Sequence, residues 1–273
     1  MDREGHDAGH GIMAATADRV LGVLDLFSGD QAEWTVEEAA DALQLPVSTA
    51  YRYFRSLSKS ELIVAYAAGR YVLGPAIIQL DRQLRLNDPF ITAAQPEMAR
   101  LAAVIGGNAV VMLARLYHDK VICVHQEEVG TLGGVSYQRG RPMPLDRGAA
   151  SKVILANINA KMMRGLPGLT QGQASSDQRP VDPDLRARLR QIRQQGFAVT
   201  EGEIDEGKRG IAVPVFRADQ SLEGSLSLVM EQSRPDQAAT IEALINARKA
   251  IEATIAIRAT IIPADTCEYE QGS

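Results

Sequence analysis

Three short helical patterns and a β-hairpin pattern follow one another between residues 18 and 73. The first helix is predicted from Asp18 to Phe27, because Val20, Leu24 and Phe27 recur on one face. Helices this short are marginal alone, so each must bury its apolar face against the others. The segment therefore predicts a small three-helix core with a two-stranded hairpin attached.

Local signals set the ends of the second and third helices. Thr35 and Glu38 form a predicted capping box, in which each side chain bonds the backbone N–H of the other residue. Proline disfavours helical backbone at the residue before it, so Pro46 interrupts the second helix. The third helix is predicted from Val47 to Ser58.

The third helix has a polar outward face. Its inward residues are predicted to be Val47, Ala50, Tyr51, Phe54 and Leu57. Its outward residues are predicted to be Ser48, Thr49, Arg52 and Arg55. Hydroxyls can donate to phosphates or bases, and arginine can pair bidentately with guanine or with phosphate. The two arginines could also merely be solvated, but the adjacent hairpin favours DNA binding.

Two β-prone runs, Glu61–Tyr66 and Arg70–Leu73, flank a turn at Gly69 and predict the hairpin. Three helices and a hairpin are typical of a winged helix-turn-helix, whose third helix enters the major groove. The net charge is −5, yet residues 48–70 hold four cations and one carboxylate. Since the phosphate-facing patch matters more than net charge, DNA remains the expected partner. The candidate DNA contacts are Ser48, Thr49, Arg52, Arg55 and Arg70.

A linker helix is predicted over Pro75–Leu86, with Ile77, Leu80 and Leu84 on one stripe. An apolar stripe outside the DNA-binding core needs a partner, and a second copy of the chain is the simplest one. The sequence therefore predicts a homo-oligomer.

Residues 90–262 mix β-prone and helical runs, which predicts an α+β domain around an antiparallel sheet. The predicted strands are Ala109–Leu116, Lys120–Gln126, Leu132–Tyr137, Gly210–Phe216 and Leu222–Met230. The predicted helices are Thr92–Ile105, Ala149–Ile158, Pro183–Gln195 and Ala238–Ile262. The expected domain plan is a disordered tail over 1–15, a winged helix-turn-helix over 16–74, a linker helix over 75–88, an effector-binding domain over 89–262 and a tail over 263–273.

Several other classes of protein are disfavoured. No run of about 18 apolar residues predicts a membrane span, and the N-terminus lacks a secretion signal, so a cytoplasmic location is expected. No catalytic triad or phosphate-binding glycine loop is evident, so neither an enzyme nor a cofactor is expected. Cys123 lies in an apolar run and is predicted to be buried, whereas Cys267 lies in the polar tail.

Clustered carboxylates could suggest a metal site. They are Glu201, Glu203, Asp205 and Glu206. Because Lys208 and Arg209 follow them directly, a solvated loop is the favoured interpretation and no metal is expected.

Eight segments together resemble the IclR family of transcription regulators. In the first half they are Arg19–Phe27, Glu37–Leu43, Leu45–Arg52 and Gly69–Pro75. In the second half they are Arg139–Leu145 leading into Ala149–Lys152, and Gly196–Glu203 leading into Gly210–Phe216. The resemblance implies a GAF-like effector domain and a dimer or tetramer on a palindromic operator. It also implies a small-molecule effector, either a metabolic acid or an aromatic compound, and repression as the commoner outcome.

The resemblance also implies an effector pocket. Its residues would be Leu132, Val135, Met143, Ala149, Ala150, Thr200, Glu203, Gly210 and Ser227. Here Asp146-Arg147-Gly148 replaces a His-Ala-Thr or His-Ala-Ser sequence common in the family, and Val229 stands where some carboxylate-binding relatives have serine. The alternative function is a ligand-binding or dimerisation module whose winged helix no longer binds DNA.

Overall fold

In a computed structural model the chain is described over residues 7–29, 31–159, 162–163, 166, 183–234 and 237–261. It divides into two compact units, Met1–Leu86 and Asn87–Ser273. The helices are α1 (Asp7–Asp25), α2 (Val36–Ala42), α3 (Val47–Lys59), α4 (Pro75–Asn87), α5 (Pro89–Ile105), α6 (Ala149–Asn157), α7 (Pro183–Gln195) and α8 (Gln237–Ile261). The strands are β1 (Ile63–Ala65), β2 (Tyr71–Leu73), β3 (Ala109–Tyr117), β4 (Lys120–Val129), β5 (Pro142–Met143), β6 (Ala198–Glu201), β7 (Lys208–Phe216) and β8 (Leu222–Glu231).

The first unit is the predicted winged helix-turn-helix. Helices α1 to α3 and the antiparallel β1–β2 hairpin enclose an apolar cluster that includes Val23, Phe27, Phe54 and Ile63. The predicted capping box is confirmed, since Thr35 Oγ1 accepts from the Glu38 backbone N–H and Glu38 accepts from that of Thr35. This box fixes where α2 begins and hence where α3 follows.

Two details of the first unit differ from the sequence prediction. Helix α1 begins at Asp7, so it covers much of the segment predicted to be a disordered tail. Alanine and methionine in this stretch favour helix, and the polar residues among them do not stop it. Residues 1–6 and the predicted tail over 263–273 lie outside the described part of the chain.

The second difference is the rotation of α3. Tyr53 is buried, whereas Tyr51 is 59% exposed and Val47 is 45% exposed, so the prediction that Val47 and Tyr51 face inward is wrong. The buried residues Ala50, Tyr53, Phe54 and Leu57 follow the spacing of one helical face. Tyr51 therefore shares the outward side of the helix with Arg52 and Arg55.

The second unit is built on a six-stranded antiparallel sheet with the order β5-β4-β3-β8-β7-β6. Helices α5 and α8 cover one face, where their apolar residues join one buried cluster. Helices α6 and α7 cover the other face and join a second cluster, which contains Cys123. The expected α+β class and the burial of Cys123 are thus confirmed, while Cys267 lies outside the described residues.

The run Leu132–Tyr137 is not a strand, contrary to the prediction. It contains Gly133 and Gly134, which weaken strand structure, and it leaves the sheet after β4. Instead, the Ser136 backbone N–H donates to Asp205 Oδ2 at 3.0 Å, which holds the run beside the loop that follows β6. Strand β6 itself was not predicted, because its four residues are too few to show an alternating pattern. No helix in the described ranges is long and apolar enough to cross a membrane.

A buried ion network fixes the start of α5 to the sheet. Asp88 caps α5 by accepting from the backbone N–H groups of Phe90 and Ile91, at 2.9 and 3.0 Å. The same carboxylate pairs with Arg115 on β3, which also pairs with Glu223 on β8. The Arg115 side chain is only 13% exposed and its guanidinium lies 4.9 Å from the centre of the Phe90 ring.

Replacing the central cation of this network tests its contribution. Arg115→Met should lower the free energy of unfolding by about 3 kcal/mol, because the nearly buried Asp88 loses its ionic partner and the nearly buried Glu223 keeps only the half-exposed Arg217. Urea denaturation measures this change. Arg85→Met is the control, since Arg85 pairs with Asp81 one helical turn away and the two side chains are 51% and 36% exposed. The control should cost less than about 1 kcal/mol, and equal losses in the two variants would contradict the assignment.

Candidate nucleic-acid interface and ligand cavity

The outward face of α3 carries four of the five predicted DNA contacts. Ser48, Arg52 and Arg55 are exposed, and Thr49 is half-buried at the start of the helix. None of the ion pairs among the described residues involves Arg52 or Arg55. With the exposed Tyr51 phenol, the face offers hydroxyl donors and guanidinium groups, which suit phosphate and base edges.

Arg70, the fifth predicted contact, is held within the first unit. Its Nη2 lies 3.2 Å from Glu38 Oε1, and its Nε lies 3.9 Å from Glu33 Oε2. The backbone N–H of Thr35 and the charge of Arg70 lower the pKa of Glu38, which caps α2. Arg70 thus fastens the hairpin to the start of α2, and its contact with DNA stays a prediction.

A cavity opens in the second unit beside the N-terminus of α6. It holds about 560 Å³, counting its open mouth. Its predicted lining residues are Val135, Met143, Ala149, Ala150, Thr200, Glu203, Gly210 and Ser227. Leu132 does not line it and packs at the edge of the α6-side core instead. The structure therefore brings eight of the nine predicted effector residues together.

Two glycines let α6 come close to the sheet. Gly148, the residue before α6, has a φ of +83°, a left-handed conformation that side-chain-bearing residues rarely adopt. A Cβ on Gly210 would lie 3.1 Å from Thr200 Oγ1 and 3.5 Å from Ala149 Cβ. Glycine at position 210 therefore leaves room for the first turn of α6 over β7.

The cavity holds polar groups that can turn to a ligand. No side chain caps the N-terminus of α6, so the helix presents backbone N–H groups there. Ser151 Oγ is buried and has no hydrogen-bond partner among the described residues. Ser227 Oγ donates to the Met112 carbonyl at a long 3.4 Å. These donors suit a small anion or hydroxyl, and the apolar wall of Val135 and Met143 suits a ring or chain.

Glu203 is engaged on both oxygens. Its Oε2 accepts from the Gly148 backbone N–H at 2.9 Å, and its Oε1 lies 2.5 Å from Lys152 Nζ. The Lys152 side chain is only 6% exposed, so the pair is largely desolvated on the lysine side. The Glu203 carboxylate thus helps to position the start of α6.

The favoured interpretation of a solvated carboxylate loop holds for the exposed Glu201 and Glu206 and is wrong for Glu203 and Asp205, which are half-buried. Glu201 lies 2.8 Å from Arg209, one of the two cations expected nearby. Asp205 accepts from Ser136. Over the described part of the chain, no group of three or more side chains is arranged to hold a metal ion. The partners of Glu203 and Asp205 come from elements far away in the sequence, so the local pattern did not reveal them.

Sequence reasoning missed several residues of the cavity. They are Met112, Tyr137, Ser151, Ile204, Asp205 and Lys208. Arg147, Gly148 and Val229, named above only as departures from the family pattern, also line the cavity. Ser151 adjoins the predicted pair Ala149-Ala150, so a wider window around that pair would have found it. Tyr137 and Lys208 reach the cavity only through the tertiary fold, and no local signal marks them.

Two family models match the chain. The model described as IclR helix-turn-helix domain matches residues 16–64. The model described as bacterial transcriptional regulator IclR C-terminal matches residues 86–255, more than half of the chain. The two matched ranges fall on the winged helix-turn-helix and on the unit that contains the cavity.

Curated relatives and solved structures agree with these models. The Pca regulon regulatory protein of Pseudomonas putida is 25% identical over 213 residues, which cover 77% of this chain and 72% of that protein. An IclR transcriptional regulator from Alicyclobacillus acidocaldarius has a TM-score of 0.69 and 25% identity, covering 89% of this chain and 98% of that one. An IclR homologue from Microbacterium hydrocarbonoxydans, solved with 4-hydroxybenzoate, has a TM-score of 0.68 and 22% identity, covering 88% and 98%. These relatives are regulators, in agreement with the expectation that the chain is not an enzyme.

The ion pair at the start of α6 generates a test by double-mutant cycle. Glu203→Gln should lower the free energy of unfolding by about 3 kcal/mol, because the Lys152 ammonium stays buried without a carboxylate. Lys152→Met should cost less, and the double variant should recover much of the loss. Urea denaturation gives all values. Glu231→Gln, which breaks the more exposed pair with Lys208, is the control and should cost less than about 1 kcal/mol. Strict additivity of the two single changes would rule out the pairing.

Proposed function

This chain belongs to the IclR family of DNA-binding transcription regulators, and from that premise we propose that it is a repressor released from its operator by a small organic or aromatic acid. It binds a palindromic operator as a dimer or tetramer, in the cytoplasm where bacterial DNA lies. Repression is the simpler outcome, because a protein that covers a promoter blocks polymerase without any further contact. The observation that carries the proposal is a cavity that places helix N–H groups and hydroxyls beside an apolar wall.

The symmetry of the operator follows from the proposed oligomer. Along α4, Ile78, Leu80, Leu84 and Leu86 are between 44% and 73% exposed. Apolar side chains at this density call for a partner, and a second copy of α4 supplies one by symmetry. A two-fold dimer reads two half-sites, which makes the operator palindromic.

The class of effector follows from the chemistry of the cavity. The uncapped start of α6 favours a carboxylate, and Ser227 and Ser151 offer hydroxyls. The structural relative solved with 4-hydroxybenzoate supports an aromatic acid. Another relative, the Pca regulon regulatory protein, is by its name the regulator of a set of genes.

Release from DNA requires unequal binding. The ligand must bind better to the arrangement in which the two recognition helices do not fit the operator. The alternative function, a module that has lost DNA binding, is disfavoured by the exposed serine and arginine face of α3.

The DNA contact of α3 is tested by removing a guanidinium. Arg52→Ala should weaken binding to the DNA upstream of the gene by about 10- to 100-fold at fixed salt. If Arg52 contacts a phosphate, the slope of log binding constant against log salt concentration should also become less negative by about one. Fluorescence anisotropy measures both. Arg186→Ala, an exposed arginine on α7, is the matched control. Unchanged affinity in both Arg52→Ala and Arg55→Ala would refute the contact through α3, whereas no specific DNA binding by the wild type would favour the alternative function.

The effector proposal is tested by filling the cavity. Benzoate, 4-hydroxybenzoate or pyruvate should lower the affinity of the wild-type protein for this DNA. Val135→Trp should bind the DNA as tightly as the wild type but lose that response, because the larger side chain at the apolar wall takes up the space of a ligand ring. The proposed effector class is rejected if no acid changes DNA binding of the wild type.

A further inference from the structure

The cationic side chains at the cavity differ in whether they are already neutralised. Lys208 lies 2.6 Å from Glu231, and Lys152, just behind the cavity, lies 2.5 Å from Glu203. Arg147 lines the cavity and forms no ion pair with any of the described residues. It is therefore the positive charge at the cavity that an incoming anion can use without breaking an existing pair.

Arg147 also stands next to the helix end that favours anions. It directly precedes Gly148, the N-cap residue just before the first turn of α6. Independently of that helix end, the buried and unpartnered Ser151 hydroxyl lines the same space. An unsatisfied buried hydroxyl is costly, so the site is better satisfied with a ligand atom bound to it. Three kinds of donor thus line one cavity: a guanidinium, helix N–H groups and a hydroxyl.

Asp205 adds a negative charge to the cavity lining. Its carboxylate accepts from the backbone N–H and the hydroxyl of Ser136, and no ion pair among the described residues neutralises it. Among the described residues that line the cavity, Arg147 is the cation without an ion pair and Asp205 the carboxylate without one, so one carboxylate of a ligand can pair with Arg147. A second anionic group on the ligand would have no cation left and would be repelled by Asp205.

We propose that Arg147 is the counter-ion of the ligand carboxylate and that Arg147 and Asp205 together select monocarboxylic acids over dicarboxylic acids and neutral amides. This inference rests on the proposed function, since it concerns the same cavity and its acid ligand. It assigns the choice among acids to two residues outside the predicted effector set. Arg147 stands where family resemblance implied a small uncharged residue, so the resemblance itself does not supply this role.

Three ligands of similar shape separate the charge requirements. Benzoate carries one carboxylate, benzamide carries none, and terephthalate carries a second one in the para position. Isothermal titration of the full chain should show benzoate binding at least about tenfold more tightly than either of the others, the size expected of a partly exposed charge-assisted hydrogen bond.

Two substitutions assign this selectivity to the residues. Arg147→Met should weaken benzoate binding about tenfold and leave benzamide binding within about twofold, whereas Arg147→Lys should retain most of the benzoate affinity. Asp205→Asn should bring terephthalate closer to benzoate. Arg186→Met, a distant exposed arginine on α7, is the control for the loss of one positive charge. Circular dichroism of each variant reports whether it folds.

The possible outcomes distinguish a failure of the role assigned to Arg147 and Asp205 from a failure of the effector proposal. If the wild type binds none of the three and no other aromatic or aliphatic acid, the effector proposal fails. If it binds benzoate but Arg147→Met binds benzoate equally well, the effector proposal stands and the role of Arg147 is refuted. If the wild type prefers terephthalate, the selection of monocarboxylates is refuted even though Arg147 contributes.

Discussion

The pairing of β3 with β8 at the centre of the sheet is the constraint on which the second unit depends. Side chains alternate along β3, so Val110 and Met112 face the α6 side while Val111 and Leu113 face the α5 side. Both faces are buried, and the register of these strands therefore decides which side chains can reach the cavity. Met112 and Ser227 are paired across the two strands and both line it. The cavity lies beside the N-terminus of α6, which is the end of a helix that offers free backbone N–H donors.

Much of the fold could be predicted from local signals. The capping box at Thr35, the proline at position 46 and the turn at Gly69 each mark a boundary that the structure shows. The rotation of α3 could not be predicted as well, because two tyrosines two residues apart fit an apolar stripe equally well by composition. Only the packing of Tyr53 and Phe54 against the other helices decides between them. The run around Gly133 has β-prone residues, but its glycines and its hydrogen bonds to Asp205 take it out of the sheet.

The candidate site was predictable where family resemblance fixed single positions, and less so where charges meet across the fold. Eight of the nine predicted effector residues share one cavity. The partners of Glu203 come from α6, about fifty residues earlier in the chain, and sequence spacing carries no sign of that meeting. Arg147 was noticed as a departure from the family pattern, but a departure carries no role over from relatives, so the resemblance could not assign it to the effector set. An unneutralised charge beside a cavity is nevertheless a place where ligand specificity can arise, so Arg147 can be assigned a role on physical grounds.

The double use of Glu38 has a consequence for genetic screens. One carboxylate both caps α2 and holds Arg70 of the hairpin, so a single codon change there disturbs two elements at once. Alleles at this codon that abolish regulation would therefore map beside the recognition helix without marking a nucleotide contact. Second-site suppressors of such alleles should gather at positions that restore the helix start or the hairpin, and a genetic map of the first unit has to separate that group from substitutions on the outward face of α3.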